Sequence, residues 1–479
     1  MTLNKFKKII PKILSFTLIF SFLYSLPVEA TNYKQQAEER KSMEIESNSY
    51  DNWPLGPAIG AEAAILMDAN TGAILYEKNI HEKLYPASIT KLLSTYIAVQ
   101  ECELDEMVTF SEEAVHSINW WEDANMGVYA GSSLTLEEVL YGILVGSANE
   151  AAYAIAEHIS GNLNDFSTLM NKTAKELGCK NSNFITPNGI HDENHYTTAY
   201  DMALIAKAFF ADETLTKISA TTRFDVPVTE TQTREGLILT AKSQLHPGKP
   251  YAYSPLVGTK TGYTDQARQT LVSCAEKNGL KLICVILKEE TPAQFTDTIE
   301  LFNYGFDNFE ALHLNEIDNQ YSIDNHFFTR EIDLLGSSKT ILSLNKDDYI
   351  VLPNTLTVED LTSGVSYDDK NDSSIACINY YYKNYLLGKI NVELAIDEPV
   401  IFDFGNQQNN TLNIYESETQ NTIFINVIHI LIGFIMLTIL FSVIFSIQSL
   451  ARNKRMAKKR KNKLRKNILH GNHWDIRKF

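Results

Sequence analysis

In the stretch AEAAILMDANTGAILYEKN, from Ala61 to Asn79, two apolar runs flank the turn cluster Asp68-Ala69-Asn70-Thr71-Gly72. That layout predicts a β-hairpin. Tyr85-Pro86-Ala87-Ser88-Ile89-Thr90-Lys91 then opens the apolar stretch LLSTYIAVQ. Pro86 and the small residues after it suit the first turn of a helix starting there. Residues 134–160 and 164–177 carry helical spacing, and residues 199–210 predict a further helix. Residues 254–288 predict two strands, LVGTKTGYT and ARQTLVSCAEKNGLKLICVILK, joined by a turn around Thr264-Asp265. An early hairpin, a helical middle and a closing pair of strands describe an α/β domain with an antiparallel sheet over residues 58–310.

Residues 311–405 change texture. Short alternating runs such as IACINYYYKNYLLGKINVELAI are broken by Asp, Asn, Ser and Gly, which predicts a small all-β domain. Residues 31–57 read as a flexible lead-in and residues 406–426 as a solvated linker. At the start, Lys5, Lys7, Lys8 and Lys12 precede an apolar run from Ile13 to Leu26 and a small residue, Ala30, at a cleavage-type position. Residues 1–30 therefore predict an export signal. Residues 427–447 are apolar and uncharged over a length that crosses a bilayer core, and a basic tail occupies residues 448–479. A basic flank stays cytoplasmic, so the body is expected outside a cell membrane and the tail inside.

A chain of 479 residues is too long for one compact core, so about two or three domains are expected. The net charge is -17, and it is uneven. Without the first 30 residues and the tail, 26 basic face 57 acidic side chains, about −31 for the exported body. Such a surface argues against nucleic acid as a partner. Five cysteines (Cys102, Cys179, Cys274, Cys284, Cys377) show no C-x-x-C spacing, so neither a disulfide framework nor a metal or cofactor is expected. Cys274 and Cys284 lie in apolar runs and are expected to be buried.

Three short patterns carry chemistry. Ser88 and Lys91 form S-x-x-K, and positions three apart on a helix share a face. A lysine desolvated there beside another cation can lose its proton and act as a base. Ser147-Ala148-Asn149 forms S-x-N between two apolar stretches, where a helix-to-helix connection can present both side chains to a cleft. Lys260-Thr261-Gly262 follows Gly258 on a strand; lysine and hydroxyl can hold a carboxylate, and Gly262 lets a substrate backbone lie against the strand edge. Each pattern alone is cheap. Ser343-Leu344-Asn345-Lys346 repeats the first, and Ser117-Ile118-Asn119 and Ser160-Gly161-Asn162 repeat the second. Their order within one domain is specific.

In these blocks (YPASITKLLS, LVGSANEAA, TPNGIHDENHYTTAYDMA and GTKTGYTDQA) the chain resembles the low-molecular-mass penicillin-binding proteins that act as D-alanyl-D-alanine carboxypeptidases, a serine peptidase family. The resemblance implies a transpeptidase-type fold shared with β-lactamases, with a sheet and a helical cluster, and no cofactor. It implies peptidoglycan stem peptides ending in D-Ala-D-Ala as substrates and β-lactams as inhibitors. Mapped by motif, it makes Ser88 the nucleophile, Lys91 its base, Ser147 and Lys260 a proton relay, and Asn149 an orienting group. The N–H groups of Ser88 and Tyr263 would face the oxyanion, and Thr261 the terminal carboxylate. Arg268 stands where the family has glycine, and Gln294 where it often has a carboxylate-binding arginine. Arg268 is therefore expected to take over carboxylate binding.

His191 and His195 are expected to be structural, and Trp120 and Trp121 to pack. A class A β-lactamase would need a glutamate for its deacylating water, yet no E-x-x-L-N run lies between Ser147 and Lys260. A D,D-endopeptidase is chemically close. A non-catalytic wall-binding module would have no use for all three motifs intact.

Overall fold

A computed structural model of the chain describes residues 32–314, 342–367 and 374–394. Its centre is a five-stranded antiparallel sheet of β1 (Ala63–Asp68), β2 (Ile74–Lys78), β3 (Leu256–Thr264), β4 (Arg268–Lys277) and β5 (Leu280–Glu289), in the order β2-β1-β5-β4-β3. The expected hairpin is β1–β2, pairing Ala64 with Lys78 and Met67 with Ile74. Every residue of β1 is buried, because both faces of the sheet are covered. Ala63, Ile65 and Met67 face one core, with Val272, Ile283 and Val285. Ala64 and Leu66 face a second, with Leu271, Leu282 and Ile286. The period of two along a strand divides the side chains between these layers.

The first layer is helical: α2 (Lys91–Glu101), α3 (Leu136–Leu144), α4 (Asn149–Ser160), α5 (Leu163–Glu176) and α6 (Ala199–Ala211). The second is α7 (Ala293–Asn308), which places Phe295, Leu301 and Phe302 against the opposite face. The helical spacing over 134–160 resolves into α3 and α4, broken at Gly146-Ser147. A capping box at Thr135 and Glu138 starts α3.

Two expectations are corrected. The run from Ala267 to Lys288, taken as one strand, is the hairpin β4–β5. Asn278 and Gly279 turn it with φ of 53° and 81°, the left-handed pair that a two-residue hairpin loop requires. The stretch expected as a flexible lead-in folds onto the domain, with α1 at Tyr33–Arg40. Arg40 Nε donates to Gly60 O at 2.7 Å. Buried Trp53 donates to Leu75 O, and Tyr50 stacks on Tyr385 at 3.8 Å between ring centroids. A few aromatic anchors outweigh a polar composition here.

Beyond α7 the described residues are mostly strand. A four-stranded antiparallel sheet and a pair joining Phe309–Leu312 to Ile350–Pro353 lie here. This part meets the sheet domain through Tyr349, whose hydroxyl donates to Asp68 Oδ2 at 2.9 Å and accepts from Asn70 Nδ2 at 2.9 Å. No described helix is long and apolar enough to cross a membrane. Residues 1–30 and 427–447, read as export signal and membrane span, lie outside the described residues.

Candidate active site

Ser88 sits in a single 3-10 turn, Ala87–Thr90, that leads into α2, so the S-x-x-K pair straddles a helix junction instead of one regular helix. The turn is held from several sides. Ala87 has φ 51°, and a Cβ on Gly189 would come within 1.9 Å of Ala87 O, so only glycine fits beneath it. Thr90 Oγ1 donates to Ala87 O at 2.8 Å, and Thr270 Oγ1 donates to Pro86 O at 2.8 Å. His195 Nδ1 accepts from the N–H groups of Ile185 and Thr186. The ring proton therefore sits on Nε2 and is donated to Thr90 Oγ1 at 2.9 Å. Burial lowers His195 to about 4, consistent with the structural role expected of it.

Lys91 Nζ lies 2.8 Å from Ser88 Oγ, 2.6 Å from Asn149 Oδ1 and 3.0 Å from Asn188 O. The lysine is buried at the start of α2, and burial, then the charge of Lys260, hold it well below its ordinary pKa. Once Lys91 loses a proton, the geometry sets what its neighbours do. Asn149 Oδ1 and Asn188 O can only accept, so they take both N–H bonds. The lone pair is left facing Ser88 Oγ–H. That is a base poised on a hydroxyl.

Ser147 occupies the break between α3 and α4 with φ 61°, a strained conformation for a non-glycine residue. Its Oγ accepts from Lys260 Nζ at 2.9 Å, and the same ammonium donates to Thr261 O at 2.8 Å. Burial, then Lys242, lower Lys260 to about 7. Gly262 was expected to admit a substrate backbone. Its tight neighbour is the Ser88 turn, since a Cβ there would meet Thr270 Oγ1 at 2.4 Å and Ser88 N at 2.8 Å.

A cavity of about 670 Å³ opens over these groups, lined by Ser88, Ser147, Asn149, Thr261, Gly262 and Tyr263, with Lys242, Gln269 and Gln294 beyond. Five expected residues thus gather here in two hydrogen-bonded groups, Ser88–Lys91–Asn149 and Ser147–Lys260, beside Thr261. Arg268 does not join them. Its guanidinium binds both oxygens of Glu290 at 2.8 Å, donates to Tyr263 OH at 3.2 Å and stacks on Tyr33 at 3.8 Å. A partner 22 positions ahead has taken the fork that a substrate carboxylate would need. We expect Arg268→Ala to leave KM for a peptide substrate within about twofold and to lower stability by about 1–2 kcal/mol. A large rise in KM at unchanged stability, measured by steady-state kinetics and thermal denaturation, would restore the carboxylate role.

Glu150 was missed. Its carboxyl is buried beside Lys91, raised by burial to about 7, and accepts from Met126 N at 2.7 Å. It fastens the loop whose Glu122, Asp123 and Ala124 form one cavity wall. Only its place directly after Asn149 could have signalled it. Trp120 donates to Val115 O at 3.1 Å and packs on the core, whereas Trp121 is 96% exposed. His191 packs edge-on against Tyr85.

Residues 51–291 match the family model described as D-alanyl-D-alanine carboxypeptidase. The chain is 34% identical over 263 residues to D-alanyl-D-alanine carboxypeptidase DacF of Bacillus subtilis, a stretch covering 52% of this chain and 63% of that protein. It is 33% identical over 274 residues to D-alanyl-D-alanine carboxypeptidase DacA of Haemophilus influenzae, covering 56% of this chain and 67% of that one. The chain thus spans just under, or about, two thirds of these relatives. Among solved structures, penicillin binding protein 5 from Haemophilus influenzae superposes with a TM-score of 0.55 at 26% identity, covering 71% of this chain and 98% of that one.

Proposed function

Because the chain belongs to the D-alanyl-D-alanine carboxypeptidase family, we propose that it is a serine D,D-carboxypeptidase that removes the terminal D-alanine from peptidoglycan stem peptides. The observation that carries this reading is the placing of buried Lys91 Nζ 2.8 Å from Ser88 Oγ, with Asn149 Oδ1 and Asn188 O on its other sides and its pKa lowered by burial.

Ser88 Oγ attacks the carbonyl of the penultimate D-alanine as Lys91 accepts its proton. The backbone N–H groups of Ser88 and Tyr263 stabilise the oxyanion; one such donor is worth about 10²–10³ in rate. Thr261 takes the terminal carboxylate, within the positive field of Lys260 and Lys242. Lys260, through Ser147, delivers a proton to the departing amine. Asn149 keeps Lys91 aimed. Water then hydrolyses the acyl-enzyme. A β-lactam presents the same kind of acyl group and acylates Ser88. Export by residues 1–30 and anchoring by residues 427–447, with the basic tail inside, would hold this site beside the wall. The pattern of apolar and basic residues supports that topology.

Incubation with a D-Ala-D-Ala peptide and with a penicillin tests the reading. Release of D-alanine with slow penicillin turnover supports it. Rapid penicillin hydrolysis without D-alanine would assign a β-lactamase instead.

The two lysines set a pH dependence. Lys91 must be neutral and Lys260 protonated, so kcat/KM should rise as Lys91 loses its proton and fall as Lys260 does, near its value of about 7. Lys242 is a cause of that low value, so Lys242→Ala should move the alkaline limb upward. A limb that stays in place, in pH profiles of kcat/KM, would show that Lys260 does not set it.

A further inference from the structure

At the C-terminal ends of α2 and α4, Cys102 Sγ, a Glu106 carboxylate oxygen and a His158 ring nitrogen lie within 4.8 Å of one another. We propose that these three residues form a binding site for a divalent transition-metal cation, with Zn²⁺ as the best match. Thiolate, imidazole and carboxylate are the donor set of zinc and not of calcium or magnesium, and three protein donors leave a fourth position for water.

The three donors come from different elements held in fixed relation. Cys102 ends α2, its N–H bonded to Ala98 O at 3.1 Å. His158 is in the last turn of α4. Glu106 lies in the turn between them, its carbonyl accepting from Leu136 N at 2.8 Å and its Oε1 accepting from Glu103 N at 2.8 Å. Oε2 already meets His158 Nε2 at 3.0 Å, so two donors stand at a spacing a shared cation can hold. The surrounding charge also suits a cation. The run Glu101-Cys102-Glu103-Leu104-Asp105-Glu106 holds four carboxylates. A bound metal would pin the C-terminal ends of α2 and α4, the helices whose first residues are Lys91 and Asn149.

The test is a titration of the full-length chain, purified in mild detergent and stripped by chelator, with Co²⁺ and then Zn²⁺. We expect one equivalent of Co²⁺ to give a thiolate-to-cobalt charge-transfer band that Zn²⁺ displaces. Zn²⁺ at about a hundredfold excess over its Kd should raise the thermal midpoint by about 3 °C or more and shield Cys102 from iodoacetamide. Cys102→Ser should lose the band and the thermal shift. His158→Ala should weaken Zn²⁺ binding by about tenfold or more. Penicillin labelling of each variant reports that it has folded. No band and no shielding with stoichiometric metal, or a band that persists in Cys102→Ser, would overturn the proposal.

Discussion

Replacing Ser88 by alanine is expected to abolish covalent labelling by a penicillin and to cut D-alanine release by at least about 10³-fold. The hydroxyl lies 2.8 Å from Lys91 Nζ, and a methyl group can form no acyl-enzyme. The fold should survive. Ser88 lies in a turn fixed by its neighbours, through Thr90, Thr270 and His195. Lys91 keeps its bonds to Asn149 and Asn188. The loss is one hydrogen bond, about 1 kcal/mol, readable as a small shift of the thermal midpoint. Labelling that persists in Ser88→Ala, located by peptide mapping, would move the nucleophile elsewhere.

Lys91→Met separates the base from its scaffold. Methionine fills a similar buried volume at the start of α2 but has no lone pair to receive the Ser88 proton. The second-order rate of acylation by a penicillin should fall by about 10²–10⁴, the range of a positioned general base. Stability should fall too, by about 1–3 kcal/mol, because Asn149 Oδ1 and Asn188 O lose a donor in a buried place. With its neighbour's amine gone, Lys260 remains hydrogen-bonded to Ser147 and Thr261 O. A loss below tenfold in stopped-flow acylation would mean that another group takes the proton.

Much of this site is legible in the chain, because the motifs are local. Ser88 and Lys91 meet across one turn at any junction between 3-10 and α-helix, and Ser147 and Asn149 share one break between helices. Lys260, Thr261 and Gly262 share one strand. What is not legible is what crosses the fold. The Arg268–Glu290 pair joins the near end of β4 to the segment after β5, and no spacing announces it. Glu150 matters only once the loop at Met126 lies over it. Gly262 and Gly189 are glycines for the Ser88 turn, which only the packing of β3 against that turn exposes. The overlooked Asn278-Gly279 turn was a local signal, outweighed by the apolar run on either side. Residues 33–57 misled in the opposite sense, since Arg40, Tyr50 and Trp53 are too few to alter a polar composition yet anchor the whole segment.

The most direct test of the central claim is to mix the full-length chain with a peptide ending in D-Ala-D-Ala, quench at short times and determine the protein's mass and the free D-alanine together. Catalysis by Ser88 acting with a neutral Lys91 predicts a transient acyl adduct on the peptide containing Ser88, with D-alanine appearing no later than the adduct. D-alanine release with no adduct at any time, even in a slowly deacylating variant, would contradict an acyl-enzyme. Absence of both would contradict the carboxypeptidase itself.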